Sequence, residues 1–426
     1  MKNVWKKLAA ITVAAAMAVP FAGCSSNTAG TESTASEGGA AADTGDNTAA
    51  DNGADSNTEA DNTTAAGGTL VIGGIGPITG AAAVYGNAVK NGAQLAVNEI
   101  NAAGGVNGMT LEFNFQDDEH DAEKSVNAYN TLKDKGMKLL VGTVTSAPCI
   151  AVADKSAADN LFQITPSGSA IDCITAGDNL FRVCFTDPGQ GTTAADYIAD
   201  NGIAAKVGVI YDSSDVYSSG ILEGFLAEAA VKGLEIVATE SFTADSKTDF
   251  SIQIQKVKDS GAELLFLPIY YQEAALIIKQ AESAGLDIPI FGADGLDGLI
   301  EQLGDEVAIA DGVMIMTPFA ASSTDPKSVA FTEAFKELTG GEVPNQFAAD
   351  AYDAVYAIKA ALEKGGVTDA SMSASDMCDI VKVAMTEITL EGVTGTTTWS
   401  ADGEPTKAPQ VMKIVVEDGV GTYSAM

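Results

Sequence analysis

Residues 206–242 read KVGVIYDSSDVYSSGILEGFLAEAAVKGLEIVATESF. KVGVIYD is a continuous apolar strand, SSGILEGFLAEAAVKG an amphipathic helix, and LEIVATESF a second strand. Apolar strands separated by amphipathic helices belong to parallel sheets covered on both faces. The pattern continues downstream with strands ELLFLPIYY, DIPIFGADG and GVMIMTPF and helices FSIQIQKVKDSG, EAALIIKQAESAG and DGLIEQLGD. Upstream, strand Leu70–Ile75 precedes a helix in which Val89, Ala93, Ala96, Val97 and Ile100 recur at helical spacing, closed by the glycines of NAAGGVNG. Leu111, Phe113 and Phe115 then share one face of a strand, and Asp121 is placed to cap a helix carrying Val126, Tyr129 and Leu132. MKLLVGTVTS and LFQITPSGS are two further buried strands, with a helix between them from about Pro148. Three more helices are expected at about 327–340, 348–365 and 375–388, then a C-terminal hairpin. The reading is an α/β protein with two successive doubly wound parallel-sheet series.

The whole chain has 426 residues, long enough for two domains, and a formal charge of −35 from 23 Lys plus Arg against 58 Asp plus Glu. So acidic a chain excludes a general nucleic-acid binder, which needs a basic face. His120 is the only histidine and Arg182 the only arginine. Histidine-dependent nucleophilic catalysis would have to run through one residue, His-rich metal sites are excluded, and neither a metal nor a cofactor is expected. Ser146 has no histidine or lysine base near it in sequence, so an enzyme is not expected.

The N-terminus reads as an address. Lys2, Lys6 and Lys7 precede the apolar segment Leu8–Val19, too short for a finished membrane span, and Ala22–Gly23 lie directly before Cys24. Residues 1–23 thus resemble a bacterial lipoprotein signal, with Cys24 the lipidated residue and the outer face of a Gram-positive membrane the expected location. The stretch from Ser25 to Gly68 has eight acidic residues, no Lys or Arg and no large apolar side chain, so residues 24–68 are expected to form a disordered tether.

Several strands end in small, hydroxyl or acidic residues: Thr79–Gly80, Thr145–Ser146, Thr165–Ser169, Asp212–Tyr217, Tyr270–Tyr271 and Asp294–Gly295. Ligands of open parallel sheets bind beyond the carboxyl ends of the strands, which makes these residues candidates for one shared site. GGIGPITG lacks the spacing of a phosphate loop. The cluster Asp117, Asp118, Glu119, Asp121 reads as a solvated loop, with His120 a surface residue inside it.

GPITGAAAVYGNAVKNGAQLAVNEINAAGGVNG, the DD after a strand, ITPSGSA, FR and TDPGQG resemble the type I periplasmic binding proteins of ABC importers, in particular the leucine/isoleucine/valine-binding group. The resemblance runs from about residue 69 to the C-terminus. It implies two α/β lobes joined by three crossings, here near Thr186–Pro188, Thr317–Phe319 and Thr394–Thr396. Lobe 1 would be 69–187 plus 318–395 and lobe 2 would be 188–317 plus 396–426, with Pro188 and Pro318 bending crossings that do not become helix. It further implies a monomer that binds an amino acid with Tyr85, Ser146, Ser167, Ser169, Tyr217, Tyr270 and Asp294 and works with an ABC permease. Ser146 and Ser169 would hold the carboxylate and Asp294 the ammonium, an Asp where the group carries Glu. A sensing protein without transport, or a binder of an amide or urea, would use the same cleft. The group's disulfide falls on positions matching His120 and Thr145, so it is absent. Of the remaining cysteines, Cys173 with Cys184 is one plausible bridge, Cys149 with Cys173 its competitor, and free buried thiols the third reading.

Overall fold

The computed structural model describes residues 67–426. The expected signal sequence, Cys24 and all of the tether but Gly67 and Gly68 lie outside the described residues.

Two sheets organise the chain. The first has the order β2 (Thr110–Asp117), β1 (Thr69–Gly76), β3 (Leu139–Gly142), β4 (Phe162–Thr165), β5 (Leu180–Arg182), and every neighbouring pair is parallel. The second runs β14 (Val420–Ala425), β13 (Val411–Glu417), β10 (Met314–Met316), β9 (Ile290–Gly292), β8 (Leu264–Leu267), β6 (Lys206–Asp212), β7 (Glu235–Phe242). It is parallel from β7 to β10 and antiparallel through the β13–β14 hairpin. A small hairpin, β11 (Leu390–Gly392) and β12 (Gly395–Thr397), stands apart from both sheets.

Helices α1 (Ala83–Ala102), α2 (Ala122–Asp134) and α3 (Ser146–Asp159) serve the first sheet. Helices α4 (Asp187–Asp200), α5 (Val216–Lys232), α6 (Ser251–Asp259), α7 (Tyr271–Ser283) and α8 (Leu299–Leu303) serve the second. α9 (Pro326–Thr339), α10 (Gln346–Lys364) and α11 (Ala374–Met385) return to the first. Asp121 caps α2 as its position suggests, accepting from Lys124 N. α10 buries Ala348, Ala351, Val355, Ile358 and Leu362 at helical spacing against α1 and the sheet. Each fully buried aliphatic side chain of that stripe contributes about 1.5–3 kcal/mol.

The route between the sheets differs from the expectation at two of the three crossings. Pro188 does not bend a non-helical crossing. It lies in the first turn of α4, behind the N-cap Thr186, whose hydroxyl accepts from Gly189 N. Proline's fixed φ and missing N–H suit that position. The helix escaped the sequence reading because its core face is small: Gln190, Gly191, Ala194, Ala195 and Ile198. Gly191 lies so close to α5 that a Cβ there would stand 2.2 Å from Ile221 O. The second crossing, at Thr317–Phe319, runs beside the third, with Thr317 N donating to Gln410 O.

That third passage falls after Lys407 rather than at Thr394–Thr396. Residues 399–407 still pack on the first lobe: Trp399 Nε1 donates to Arg182 O at 2.7 Å, Arg182 N donates to Gly403 O, and Lys407 pairs with Asp350 at 2.7 Å. The chain enters the second sheet only at Val411.

The expected Cys173–Cys184 bridge is not formed. Cys149, Cys173, Cys184 and Cys378 are all free and buried. Cys173 leaves the 165–173 loop beside Cys149 of α3, and those two thiols interact with each other. Cys184 lies in the first crossing, where its own burial pushes the thiol well up.

Candidate ligand-binding cleft

The site gathers where the carboxyl ends of the two sheets face each other. Tyr85 follows β1, Ser146 opens α3 after β3, and Ser167 follows β4. Tyr217 follows β6, Tyr270 follows β8 and Asp294 follows β9. These six, with Val144, Thr145, Gly295 and Phe347, line one cavity. Its free volume is about 10 Å³, room for one water at most.

The cleft is closed by its own side chains. Tyr85 OH donates to Gly295 O across the cleft and accepts from Tyr271 N. Its ring packs on Phe347, centroids 4.2 Å apart. Tyr217 stacks on Tyr270 at 4.7 Å, donates to Asp294 Oδ1 at 2.7 Å and accepts from Gly295 N at 2.8 Å. Gln346 of α10 reaches over to donate from Nε2 to Asp294 O.

On the first lobe, the Ser146 hydroxyl accepts from Ala170 N at 3.2 Å, which leaves its own hydrogen to give. It stands at the N-terminus of α3, where backbone N–H groups favour an anion. Ser167 Oγ donates to Val144 O at 2.7 Å, and its N–H bonds Thr165 Oγ1, so its side chain braces the loop. Arg182 fixes that loop from below. It is wholly buried; Nη1 donates to the carbonyls of Gly168, Ser169 and Ala170, Nη2 to Ile171 O, and its Nε pairs with Glu404 at 3.2 Å.

Ser169 does not line the cavity itself. Its hydroxyl is buried without a well-formed hydrogen bond, beside Asp187. Asp187 is the residue that the sequence reading missed. It is 1 % exposed and neither carboxylate oxygen makes a well-formed hydrogen bond; the Ser169 hydroxyl beside it interacts with the carboxyl and partly offsets its burial, and Gln190 Nε2 nearby is unpaired. Burial pushes its carboxyl well above the usual range, and the charge of Asp294 adds to the rise. Asp294 is likewise pushed up to about 6, chiefly by burial. Neither carboxyl has a salt-bridge partner among the described residues; the buried Arg182 guanidinium acts on Asp187 only from a distance and does not offset the burial. The sequence signal is the first helical turn of TDPGQG, where Asp187 directly follows the N-cap Thr186.

His120 is not the surface residue expected. It is half-buried, its Nδ1 lies 2.8 Å from Thr145 Oγ1, and its ring edge meets Tyr270 of the opposite lobe. The two positions that the resemblance matches to a disulfide are therefore joined by a hydrogen bond. Burial lowers the imidazole's pKa, and the nearby Lys247 lowers it further. Among the described residues no group of three or more His, Cys, Asp or Glu could hold a metal, and no helix is long and apolar enough to cross a membrane.

Two α/β lobes with polar and aromatic residues converging from both define a two-lobed solute-binding protein. The chain belongs to the periplasmic binding protein family, whose model matches residues 69–419, and within it to the type I leucine/isoleucine/valine-binding group. It is 32% identical over 322 residues to a Leu/Ile/Val-binding protein homolog 3 of Brucella melitensis, covering 75% of this chain and 84% of that protein. It is also 32% identical to a leucine-, isoleucine-, valine-, threonine- and alanine-binding protein of Pseudomonas aeruginosa, over 67% of this chain and 75% of the other. The solved structure of the branched-chain amino acid transporter substrate-binding protein LivJ of Streptococcus pneumoniae, in complex with isoleucine, is similar with a TM-score of 0.73 and 29% identity, over 84% of this chain and all of that one. The protein is a solute binder and not an enzyme.

Proposed function

We propose that this protein is an extracytoplasmic lipoprotein, anchored through Cys24, that captures a branched-chain or similar small amino acid between its lobes and delivers it to an ABC permease. The observation that carries the amino-acid reading is that the buried carboxyl of Asp294 lines the same cavity as the hydroxyl and helix terminus at Ser146, with the buried Asp187 carboxyl close to Asp294. An α-amino acid brings an ammonium for the carboxyls and a carboxylate for the hydroxyl and helix terminus. Its carboxylate would take the Ser146 hydroxyl and the N–H groups that open α3, with Ser169 reaching in. Its ammonium would lie between Asp294 and Asp187. The walls left for its side chain are Tyr85, Tyr270, Val144 and Phe347, which are apolar or aromatic and suit an aliphatic group.

A neutral amide or urea would bring no positive charge to the buried Asp294, which supports the amino acid over that alternative. The branched-chain binders of Brucella, Pseudomonas and Streptococcus support the same class. Entry requires the lobes to part about the crossings, breaking the bridges from Tyr85 to Gly295 and from Gln346 to Asp294. A bound ligand then favours the closed state through contacts that only that state makes. Calorimetry with leucine, isoleucine and valine against leucinamide and N-acetyl-leucine tests the reading. Binding of the free amino acids alone is expected, and equal binding of N-acetyl-leucine would overturn it. Loss of labelled leucine uptake on deleting the gene separates delivery from sensing.

A further inference from the structure

A second and much larger space lies on the other side of the Asp294 turn. It is a groove of about 840 Å³, within the range of small-molecule sites. Both lobes build it. Val84 of α1 and Phe335 of α9 come from the first, and Ile300 of α8 and Val420 of the C-terminal hairpin from the second. Its walls are mainly apolar, yet three carboxyls stand in them: Asp297, Glu301 and Glu342. No Lys, Arg or His lines it.

Asp297 is 1 % exposed and held from both sides. Its Oδ2 accepts from Gln346 N at 2.9 Å and its Oδ1 from Tyr423 OH at 2.8 Å. Each carboxylate oxygen keeps acceptor capacity for a further donor. Burial, then the charge of Glu301, pushes this carboxyl up to about 7, so it too lacks a compensating cation. The single turn Asp294–Asp297 divides the two spaces: Asp294 lines the amino-acid cavity and Asp297 lines the groove. The groove is therefore a separate site.

We propose that this groove binds an organic cation, a primary amine carried on an apolar body, with the ammonium at Asp297 and Glu301 and the body along Val84, Ile300, Phe335 and Val420. Charge complementarity selects the amine: an apolar body alone would fill the walls and leave three carboxyls facing it, and an acid would be repelled by all three. The inference is independent of which amino acid the first cavity takes.

The test titrates the full chain with phenylbutylamine, phenylbutanol and phenylbutyrate, one body in three charge states. The amine is expected to bind at least about tenfold more tightly than the alcohol, and the acid not at all. Glu301→Gln, at the exposed rim, should weaken the amine about threefold and Asp297→Asn about tenfold, each with an unchanged circular-dichroism spectrum. Val420→Trp, at the exposed start of β14, puts a bulky ring where the amine's apolar body would lie and should block the amine while leaving leucine binding as it was. Equal affinity for amine and alcohol would overturn the proposal. So would amine binding that survives Val420→Trp, which would put the amine elsewhere. Failure of leucine to bind while the amine binds would count against the amino-acid reading and not against this one.

Discussion

Asp187→Asn separates a ligand group from a structural one, because it moves stability and affinity in opposite directions. The substitution keeps the shape and removes an ionisable group whose two oxygens are buried without a well-formed hydrogen bond. The asparagine amide is as short of partners as the carboxyl was, so the unliganded protein should gain stability only by losing the ionisation penalty of that carboxyl. The sign follows from the raised pKa. The folded protein keeps a proton on Asp187 that the unfolded chain gives up above about pH 4, so this residue lowers stability as pH rises toward its folded value. The asparagine variant should lose part of that fall, which urea unfolding across the range would read. Affinity should move the other way. Removing one partner of a buried charge pair costs about 2–5 kcal/mol, or about 30- to 5,000-fold in leucine affinity by calorimetry. A variant that binds leucine like the wild type, or whose unliganded form is less stable, would show that Asp187 is a satisfied structural residue and refute the placement of the ammonium.

Asp294 sets a pH limit: its carboxyl, at about 6 when free, must be ionised to hold an ammonium, so affinity should fall up to about tenfold per pH unit below that value, with proton release visible in buffers of different ionisation enthalpy. Arg182→Lys should lower stability by about 2–6 kcal/mol and weaken leucine binding, since one ammonium cannot serve the four carbonyls of Gly168 to Ile171; unchanged unfolding would refute the bracing role. Lys407→Met should cost about 3–5 kcal/mol by leaving Asp350 buried and unpaired, and adding Asp350→Leu should restore most of the loss in urea unfolding.

Much of this was readable from the chain. Strands such as Leu264–Leu267 are wholly apolar and can be nothing but buried, and α1 and α10 carry clear helical stripes. Six of the seven candidate side chains line one cavity because each sits just past the end of a strand, where this topology leaves room. Ser169 is the seventh, one step removed beside Asp187. What failed to show is what depends on partners distant in sequence. α4 has few large apolar residues because Gly191 and Ala194 let it press against α5, a fact of packing and not of periodicity. Asp187 looked like part of a bend because its unmet oxygens are visible only once Asp294, 107 positions on, is brought beside it. Of the two partners the sequence offers Cys173, the 165–173 loop folds it beside the competitor Cys149 of α3 and not beside Cys184, with all three thiols free.

The hydrogen bond between His120 and Thr145 has a meaning for how the protein is made. With that contact in place of a covalent link, and with four buried thiols unpaired, the described fold asks nothing of an oxidant or of a disulfide isomerase. Reducing agents find no disulfide to cleave among the described residues. The exposure comes earlier: a newly exported chain presents the same thiols before the core covers them, when any oxidant can join the wrong two. The risk period for this protein is the interval between secretion and burial, and speed of folding is its protection.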